Sequence, residues 1–550
     1  MRAAELFVHC LENEGVGCVF GLPGEENMHV LDALADSPIR FISVRHEQGA
    51  AFMANVYGRL TGRAGVCLAT LGPGATNLTT GIADAFLDRA PLVAITGQTE
   101  LRLVHKESHQ FIDVVGSFAQ ITKWNTRVEL PEVIPEVVRK AFKLAQTEKP
   151  GPTHIELPED VAASEIGQRG GRVPAPLPAT DAALAEPHPV SLAQAVRLLG
   201  GSTHPILLAG NGVIRQRASG ALRRLVEKLN LPVATTFMGK GCVSWDDPRN
   251  LSSVGLQAGD YANFAIDRAD LVLAVGYDMI EYAPELWNPR ADKTILHIDT
   301  APAEIDTHYQ PAIELVGDLE LALLRLADGV DREFRGDHVA GLRKMVLDQS
   351  AAYGEDNSYP VKPQRLMHTL RRVMDRDDIL ISDVGAHKLW VARLFPAYEP
   401  NTVIISNGFA AMGIAVPGAI AAKIARPQQR VVAVAGDGGF LMSCHELETA
   451  VRLETPMVVV VVNDNGYGMI RWKQERDFGR TFGVDLGNPD FARLAESFGC
   501  RGMRVDSTEQ LEDTMRQALA AEAPVVVEVP IDYSENRKLS EPLGPPAPAM

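Results

Sequence analysis

Cysteine is scarce in this chain of 550 residues. Only six cysteines are present, and no two of them form a CxxC pair. Disulfide frameworks and zinc sites need paired or clustered cysteines, whereas scattered thiols in a long chain are typical of reduced core residues. The sequence therefore predicts neither a disulfide-stabilised fold nor a structural zinc site.

An excess of positive charge is also missing. The chain carries 53 Lys and Arg against 70 Asp and Glu, for a formal net charge of −17. Nucleic-acid binding needs a basic face, so we expect no nucleic-acid partner. A phosphorylated cofactor is still possible, because backbone N–H groups and a metal ion can hold a phosphate group.

Long apolar runs are absent as well. No stretch reaches the ~18 consecutive apolar residues of a membrane-spanning helix. The first segment, MRAAELFVHCLENEG, has three glutamates in an amphipathic pattern and lacks the apolar region of a signal peptide. We therefore expect no membrane segment and a cytoplasmic location.

What the chain does contain is an alternation of short apolar strands with helical patterns. It recurs in three blocks, which predict domains at 1–165, 190–330 and 359–535. Such alternation is typical of parallel sheets covered by helices on both faces. The predicted fold class is therefore α/β, with three doubly wound parallel-sheet domains, whose ligands bind at the carboxyl ends of strands.

One strand end in the third block carries an unusual turn. The stretch VVAVAGDGGF, 431–440, runs from an apolar strand into Asp437 between glycines. Taken alone, Asp437 is equally well explained as the N-cap of a helix. A second apolar strand, PMVVVVVNDNGYG, ends at Asp464. A hairpin turn would also suit Asp and Asn followed by Gly, but a helical pattern follows rather than a returning strand.

The two aspartates are expected to lie side by side. They are 464 − 437 = 27 positions apart, which allows one strand–helix–strand unit. Adjacent carboxylates repel each other unless a cation lies between them, and Mg²⁺ suits hard oxygen ligands next to a phosphate. Gly438 and Gly439 would let backbone N–H groups approach a diphosphate.

This pair of turns resembles the signature of thiamine-diphosphate enzymes. The resemblance implies that Asp437 and Asp464 are side-chain ligands of Mg²⁺ and that Gly466 gives a carbonyl ligand. Many members carry Asn at the position of Asp464, which is also an oxygen donor. Thiamine diphosphate and Mg²⁺ are thus the expected cofactors.

Such a cofactor needs a carboxylic acid elsewhere in the protein. Removal of its C2 proton uses the aminopyrimidine ring, which becomes basic when an acid hydrogen-bonds to its ring nitrogen. The stretch RHEQGAAFMA places Glu47 between a strand and an Ala-rich helix and matches the family's glutamate segment. The alternative is an exposed first-turn glutamate favoured by the helix dipole.

Five longer segments resemble the acetolactate synthase group across nearly the whole chain. They are GLPGEENMHVLDAL, RHEQGAAFMANVYGRLTG, LGPGATNLTTGIADA, GPTHIELPEDV and GDGGFLMSCHELETAV. The resemblance implies pyrimidine-binding, central and diphosphate-binding domains in that order. It also implies active sites shared between two chains, hence a homodimer, which we expect to pair into a homotetramer.

The resemblance assigns further residues one by one. Catalytic roles beside Glu47 fall to His109, Gln110 and Lys123, although a polar surface loop and a surface lysine are alternatives. Cofactor contacts fall to Glu47, Val384, Gly385, His387, Gly408, Met412, Gly438, Gly439 and Met469. Met412 would wedge between the two cofactor rings, with core packing as its alternative, and Gly408 would let the pyrimidine approach the backbone.

The central block separates two branches of the group. Biosynthetic members bind a flavin through an Arg-rich segment, whereas AVGYDMIEYAPELWN, 274–288, has no arginine and resembles the flavin-independent catabolic type. GNGVIR, 210–215, is a weak dinucleotide signal. Biosynthetic members also carry a Trp that favours 2-oxobutyrate; its position falls on Lys473, one place after Trp472. We therefore expect no flavin and a weak 2-oxobutyrate preference.

The predicted function is that of an acetolactate synthase. It would decarboxylate pyruvate and condense the product with a second pyruvate to give 2-acetolactate and CO₂. Another thiamine-diphosphate enzyme acting on 2-oxo acids, such as a pyruvate oxidase, decarboxylase or carboligase, is an alternative, as is a non-catalytic homologue. The sequence does not distinguish acetoin metabolism from branched-chain amino acid biosynthesis.

Overall fold

The computed structural model describes residues 1–167, 174–180, 183–255 and 261–540. In these ranges the strands form three six-stranded sheets. Every pairing between neighbouring strands is parallel. The predicted α/β class with three parallel sheets is confirmed.

The first sheet has the strand order β2-β1-β3-β4-β6-β5. Its strands are β1 (Cys18–Gly21), β2 (Arg40–Ser43), β3 (Gly65–Ala69), β4 (Leu92–Gln98), β5 (Trp124–Arg127) and β6 (Pro152–Pro158). Its helices are α1 (Ala3–Asn13), α2 (Met28–Ala35), α3 (Glu47–Thr61), α4 (Gly72–Leu87), α5 (Val114–Phe118), α6 (Ile134–Gln146) and α7 (Glu159–Ala163). All residues of β4 and β6 are buried, as expected for central strands covered by helices on both faces.

The second sheet has the order β12-β11-β10-β7-β8-β9. Its strands are β7 (Pro205–Ala209), β8 (Val233–Thr235), β9 (Asn250–Ser253), β10 (Leu271–Val275), β11 (Thr294–Asp299) and β12 (Ile313–Val316). Its helices are α8 (Pro189–Gly201), α9 (Asn211–Arg215), α10 (Ser219–Leu229), α11 (Tyr261–Arg268) and α12 (Leu319–Gly329).

The third sheet has the order β14-β13-β15-β16-β18-β17. Its strands are β13 (Ile379–Ser382), β14 (Val403–Ile405), β15 (Val431–Gly436), β16 (Val458–Asn463), β17 (Arg501–Arg504) and β18 (Val525–Pro530). The helices in this part of the chain are α13 (Leu342–Ala352), α14 (Pro363–Val373), α15 (Ala386–Leu394), α16 (Ala415–Ala425), α17 (Asp437–Ser443), α18 (Glu446–Arg452), α19 (Gly468–Phe478), α20 (Phe491–Ser497), α21 (Leu511–Leu519) and α22 (Arg537–Ser540).

The chain divides into two compact units. The first unit comprises Met1–Ala182, Gly408–Gln428 and Leu441–Thr455; the second comprises Ala183–Asn407, Gln429–Phe440 and Pro456–Met550. Helices α16 and α18 therefore belong to the first unit, where α16 packs along α3. The strands of each sheet fall within the predicted ranges 1–165, 190–330 and 359–535, whose limits as domain boundaries stay a prediction.

Two expectations from composition can be compared with the structure. All six cysteines are free thiols, and five of them are buried. Among the described residues, no helix has the length and apolar character needed to cross a membrane.

Candidate active site

Asp437 lies at the carboxyl end of β15, as its first residue beyond the strand, and is almost fully buried. Its Oδ1 accepts the Gly438 N–H at 2.8 Å. Its Oδ2 accepts the Gly466 N–H at 3.0 Å and Asn488 Nδ2 at 2.7 Å. Because β15 and β16 are parallel neighbours, the turns that follow them meet at one edge of the sheet.

Asp464 follows the neighbouring strand, β16, and its side chain is only 10% exposed. Burial, together with the charge of Asp437, raises the pKa of Asp464 to about 7. Burial also raises the pKa of Asp437 above its ordinary value. Two desolvated carboxylates side by side favour a cation between them, and Arg471 Nη1 already donates to Asp464 Oδ2 at 2.9 Å.

This donor set fits the predicted metal ion. Carboxylates at adjacent strand ends are hard oxygen donors of the kind that Mg²⁺ takes in small number. The third predicted ligand, Gly466, lies in the same turn, with its N–H directed to Asp437. The structure thus brings Asp437, Asp464 and Gly466 together.

The predicted diphosphate segment follows β13. His387 is buried, and its Nε2 has no hydrogen-bond partner among the described residues. Burial lowers the pKa of His387 to about 4. A buried ring nitrogen without a partner is unfavourable unless a ligand supplies one, so the position fits a polar group of a ligand.

The glycines of the Asp437 turn have a local packing reason. A Cβ atom on Gly439 would lie 2.6 Å from Asp383 Oδ1, and one on Gly438 would lie 2.8 Å from the Tyr467 ring. Asp383 in turn accepts the Val384 N–H at 2.7 Å. The turn after β15 can therefore approach the turn after β13 closely.

Two predicted cofactor contacts in this part are less polar. Gly385 directly precedes α15, where a Cβ atom would lie 2.9 Å from His387 Cε1. Met469, on the first turn of α19, is half-buried and packs against the hydrophobic core of the third sheet. Neither placement tests a contact with the cofactor, so both roles stay predictions.

Glu47 is the first residue of α3 and is 5% exposed. The preceding residue, His46, caps the helix, because its Nδ1 accepts the Gln48 N–H at 3.1 Å. The Glu47 carboxylate accepts Asn77 Nδ2 at 2.9 Å. The alternative of a solvent-exposed first-turn glutamate therefore does not hold.

The predicted substrate residues fall into two groups. His109 and Gln110 are exposed in the loop after β4, and Gln110 has a φ of 55°. The Gln110 carbonyl lies beside Gly72 at the start of α4, where a Cβ atom would approach it to 2.3 Å. This loop and Glu47 both lie at the carboxyl ends of the strands of the first sheet.

Lys123 lies at the opposite end of the same sheet, where the strands begin. Its backbone N–H donates to Pro152, the first residue of β6, at 2.8 Å. Its Nζ donates to the Thr147 carbonyl at 2.6 Å. The structure therefore does not bring Lys123 to the strand ends that carry Glu47, and its catalytic role stays a prediction without structural support.

Gly408 and Met412 belong to the first unit. The Gly408 N–H donates to Asp88 Oδ1 at 2.7 Å, next to the last residue of α4, Leu87. Met412 is half-buried in the turn before α16. The end of α4 that binds Gly408 is not the end that contacts Glu47.

Comparison with known proteins agrees with this arrangement. Three family models match the chain: the N-terminal TPP-binding domain of thiamine pyrophosphate enzymes at residues 1–117, their central domain at 192–326 and their C-terminal TPP-binding domain at 383–529. The acetolactate synthase of Bacillus subtilis is 40% identical over 550 residues, covering 98% of this chain and 95% of the relative. The chain belongs to the acetolactate synthase family. The predicted family and thiamine diphosphate, also called thiamine pyrophosphate, are confirmed.

Other members of the acetolactate synthase family match over similar lengths. The catabolic acetolactate synthase of Raoultella terrigena is 38% identical over 549 residues, covering 97% of this chain and 96% of the relative. The acetolactate synthase isozyme 2 large subunit of Escherichia coli is 34% identical over 556 residues, covering 99% and 98%. The relatives therefore include one protein named as a catabolic enzyme and another named as the large subunit of an isozyme.

Sequence reasoning missed several polar residues of this acetolactate synthase family member. Asn77 lies in the family-like segment LGPGATNLTTGIADA, but nothing in that segment indicates that it bonds to Glu47. Asn488 donates to both Asp437 and Asn463 and lies in a loop with no motif. Amide side chains of this kind are recognised only once the fold places them.

The central sheet holds another residue that the motifs did not single out. Glu281 is buried, and its two carboxylate oxygens accept the Asn211 N–H at 3.0 and 3.2 Å. Thr236 Oγ1 also donates to it, at 2.5 Å. Asn211 begins α9 directly after β7, where a doubly wound sheet would bind a nucleotide phosphate. The Glu281 carboxylate occupies that position.

Proposed function

We propose that this chain is an acetolactate synthase that decarboxylates pyruvate and joins the product to a second pyruvate, giving 2-acetolactate and CO₂. The observation that carries the proposal is the pair of aspartates at adjacent strand ends, one buried and one largely buried, in a chain that matches acetolactate synthases over nearly its whole length. The buried Glu47 supports catalysis over a non-catalytic role.

Glu47 is the residue proposed to supply the acidic proton for catalysis. Thiamine diphosphate, when bound, supplies the electron sink for loss of CO₂. Glu47 would donate a hydrogen bond to a pyrimidine nitrogen of the bound cofactor, which would make the ring basic. Asn77 orients the carboxyl group through its 2.9 Å bond to Oε2, and burial keeps water from competing for the proton. His109 and Gln110, which also lie at the carboxyl ends of the strands of this sheet, would face the substrate.

The turns of the third sheet hold the diphosphate end. Asp437 and Asp464 would bind Mg²⁺ together with the Gly466 carbonyl, and Asn488 fixes the orientation of Asp437. His387 Nε2, Val384, Gly385, Gly438 and Gly439 would contact the diphosphate. Met412, Gly408 and Met469 would contact the rest of the cofactor.

The first unit supports an active site completed by a second chain. Gly408 and Glu47 are both assigned to one pyrimidine ring, which is only a few ångströms across. Within one chain Glu47 contacts Asn77, whereas Gly408 lies at Leu87, and 10 residues of helix rise by about 15 Å. One pyrimidine cannot reach both. We therefore propose a homodimer with shared sites, which pairs into a homotetramer.

A flavin-free enzyme is proposed on the basis of the central sheet. An anionic nucleotide at the start of α9 would meet the carboxylate of Glu281 rather than free N–H groups. We expect the purified protein to be colourless and added flavin to leave its activity unchanged. Stoichiometric flavin in an absorption spectrum would contradict this expectation.

Six free thiols support a cytoplasmic location.

The test is identification of the product. Purified protein is incubated with pyruvate, thiamine diphosphate and Mg²⁺, with Asp437→Ala as the control. We expect 2-acetolactate and CO₂. Acetaldehyde alone would indicate a decarboxylase, and hydrogen peroxide with an acetyl product would indicate an oxidase, so either result would overturn the proposal.

A further inference from the structure

Glu446 is a fully buried carboxylate that no step above uses. It is the first residue of α18, in the first unit, with 0% exposure. Its Oε1 accepts the backbone N–H groups of Arg45 at 3.0 Å and His46 at 3.1 Å. Its Oε2 accepts Thr449 Oγ1 at 2.6 Å. One oxygen of the carboxylate is thus bound by the backbone of the two residues that directly precede Glu47, and the other by Thr449.

The first turn of α3 is shaped around this carboxylate. A Cβ atom on Gly49 would lie 2.5 Å from Glu446 Oε1 and 3.0 Å from its Cδ. No side chain fits at that position while Glu446 keeps its place, since real Cβ contacts are longer. The close packing of Glu446 therefore explains why the RHEQGAA segment has glycine at position 49.

We infer that Glu446 is a positioning residue for Glu47, an inference that rests on the proposed function. It acts through the backbone at Arg45 and His46, and so fixes where α3 begins and in which direction its first side chain points. Displacement of a reacting group by about 1 Å can lower a rate by ~100-fold. Removal of the two hydrogen bonds should therefore slow proton removal from the cofactor more than it weakens cofactor binding.

The rival explanation is purely structural. A carboxylate near a helix start also stabilises the helix through its dipole and through capping bonds. Loss of that effect would lower the melting temperature and the cofactor affinity together. The experiment must therefore separate orientation of Glu47 from stability of the fold.

The matched variants come from one short helix. Glu446→Ala removes the acceptor, and Glu446→Gln keeps one oxygen for the two N–H groups. Thr449→Val removes one donor to Oε2. Glu448→Gln is the control, because Glu448 lies on the same helix, is partly exposed and accepts a bond from Arg452 at 2.9 Å rather than from the residues before Glu47.

Three quantities are measured on each purified full-length variant. They are the melting temperature without cofactor, the Kd for thiamine diphosphate with Mg²⁺, and the rate at which the C2 proton of the bound cofactor exchanges with deuterium. We expect Glu446→Ala to slow exchange by at least about tenfold while Kd changes by less than about threefold. Glu446→Gln should restore most of the rate, and Glu448→Gln should match the wild type.

Two results would overturn the inference. One is normal C2 exchange in Glu446→Ala. The other is a loss of exchange that only follows the losses in Kd and melting temperature. If Glu446→Ala does not fold, Thr449→Val decides: we expect exchange to slow by about fivefold, the effect of one lost hydrogen bond, and an unchanged rate would overturn the inference.

The experiment distinguishes failure of the proposed function from failure of the inference about Glu446. A wild-type protein that exchanges the C2 proton but makes no 2-acetolactate would contradict the proposed product, and the Glu446 variants would still test the inference. If cofactor bound to the wild-type protein exchanges its C2 proton no faster than free cofactor, both the proposed function and the inference about Glu446 are overturned.

Discussion

Single side chains decide whether the proton and the metal ion are held as proposed. Glu47 is buried, and the side-chain amide of Asn77 orients its carboxyl group. Asp437 is held by three donors, two of them backbone N–H groups. Asp437 directly follows an apolar strand, which is visible in the sequence, whereas Glu47 could be predicted only because its segment resembles the family's glutamate segment. Asn77 and Asn488 could not, because only tertiary packing makes their neighbours known.

Glu47→Gln should leave cofactor affinity almost intact and slow C2 proton exchange by about 100- to 10,000-fold, because an amide cannot supply the acidic proton. Exchange of the bound cofactor, measured by NMR after acid quenching, reports this step directly. Asn77→Ala should give a smaller loss in the same direction. Near-normal turnover in Glu47→Gln would remove this residue from the mechanism.

Asp437→Ala should abolish Mg²⁺-dependent retention of thiamine diphosphate, because one hard ligand is lost and Asp464 alone holds the ion poorly. Asp464→Asn is the matched control, since an amide oxygen can still bind the metal. Titration calorimetry compares the two variants with and without Mg²⁺. Unchanged cofactor binding in Asp437→Ala would show that the metal assignment is wrong.

At the scale of elements, alternation predicted the sheets but not their strand order. The order β2-β1-β3-β4-β6-β5 follows from packing between distant segments, which periodicity does not encode. Lys123 shows the consequence. The family resemblance assigns it to the pocket, yet it precedes β5 and so lies where the strands begin, while Glu47 follows β2 where the strands end. Knowing which end of a strand a residue follows matters as much as its identity.

Helix α19 gives a prediction about the acceptor. Trp472 is buried in the hydrophobic core of the third sheet, whereas Lys473 is exposed. One position along a helix turns a side chain by about 100°, so Trp472 should not make the acceptor contact of biosynthetic enzymes.

Equal concentrations of pyruvate and 2-oxobutyrate should therefore give an acetohydroxybutyrate to acetolactate ratio below about ten, which corresponds to less than ~1.4 kcal/mol. Mass spectrometry of the products measures this ratio. A higher ratio would mean that the acceptor pocket is of the biosynthetic kind.

At the scale of the whole molecule, the length of α4 separates two groups assigned to one pyrimidine ring. If each site takes Glu47 from one chain and its metal turn from the partner, two inactive variants can restore each other. In a dimer of Glu47→Gln with Asp437→Ala, one site has both lesions and the other has none. With random mixing, co-expression should recover about a quarter of wild-type activity, since half of the dimers are mixed and each has one intact site of two.

The two variants mixed after separate purification, without subunit exchange, are the control. Activity that stays at the level of the separate variants after co-expression, with mixed dimers confirmed by two affinity tags, would show that each chain completes its own site.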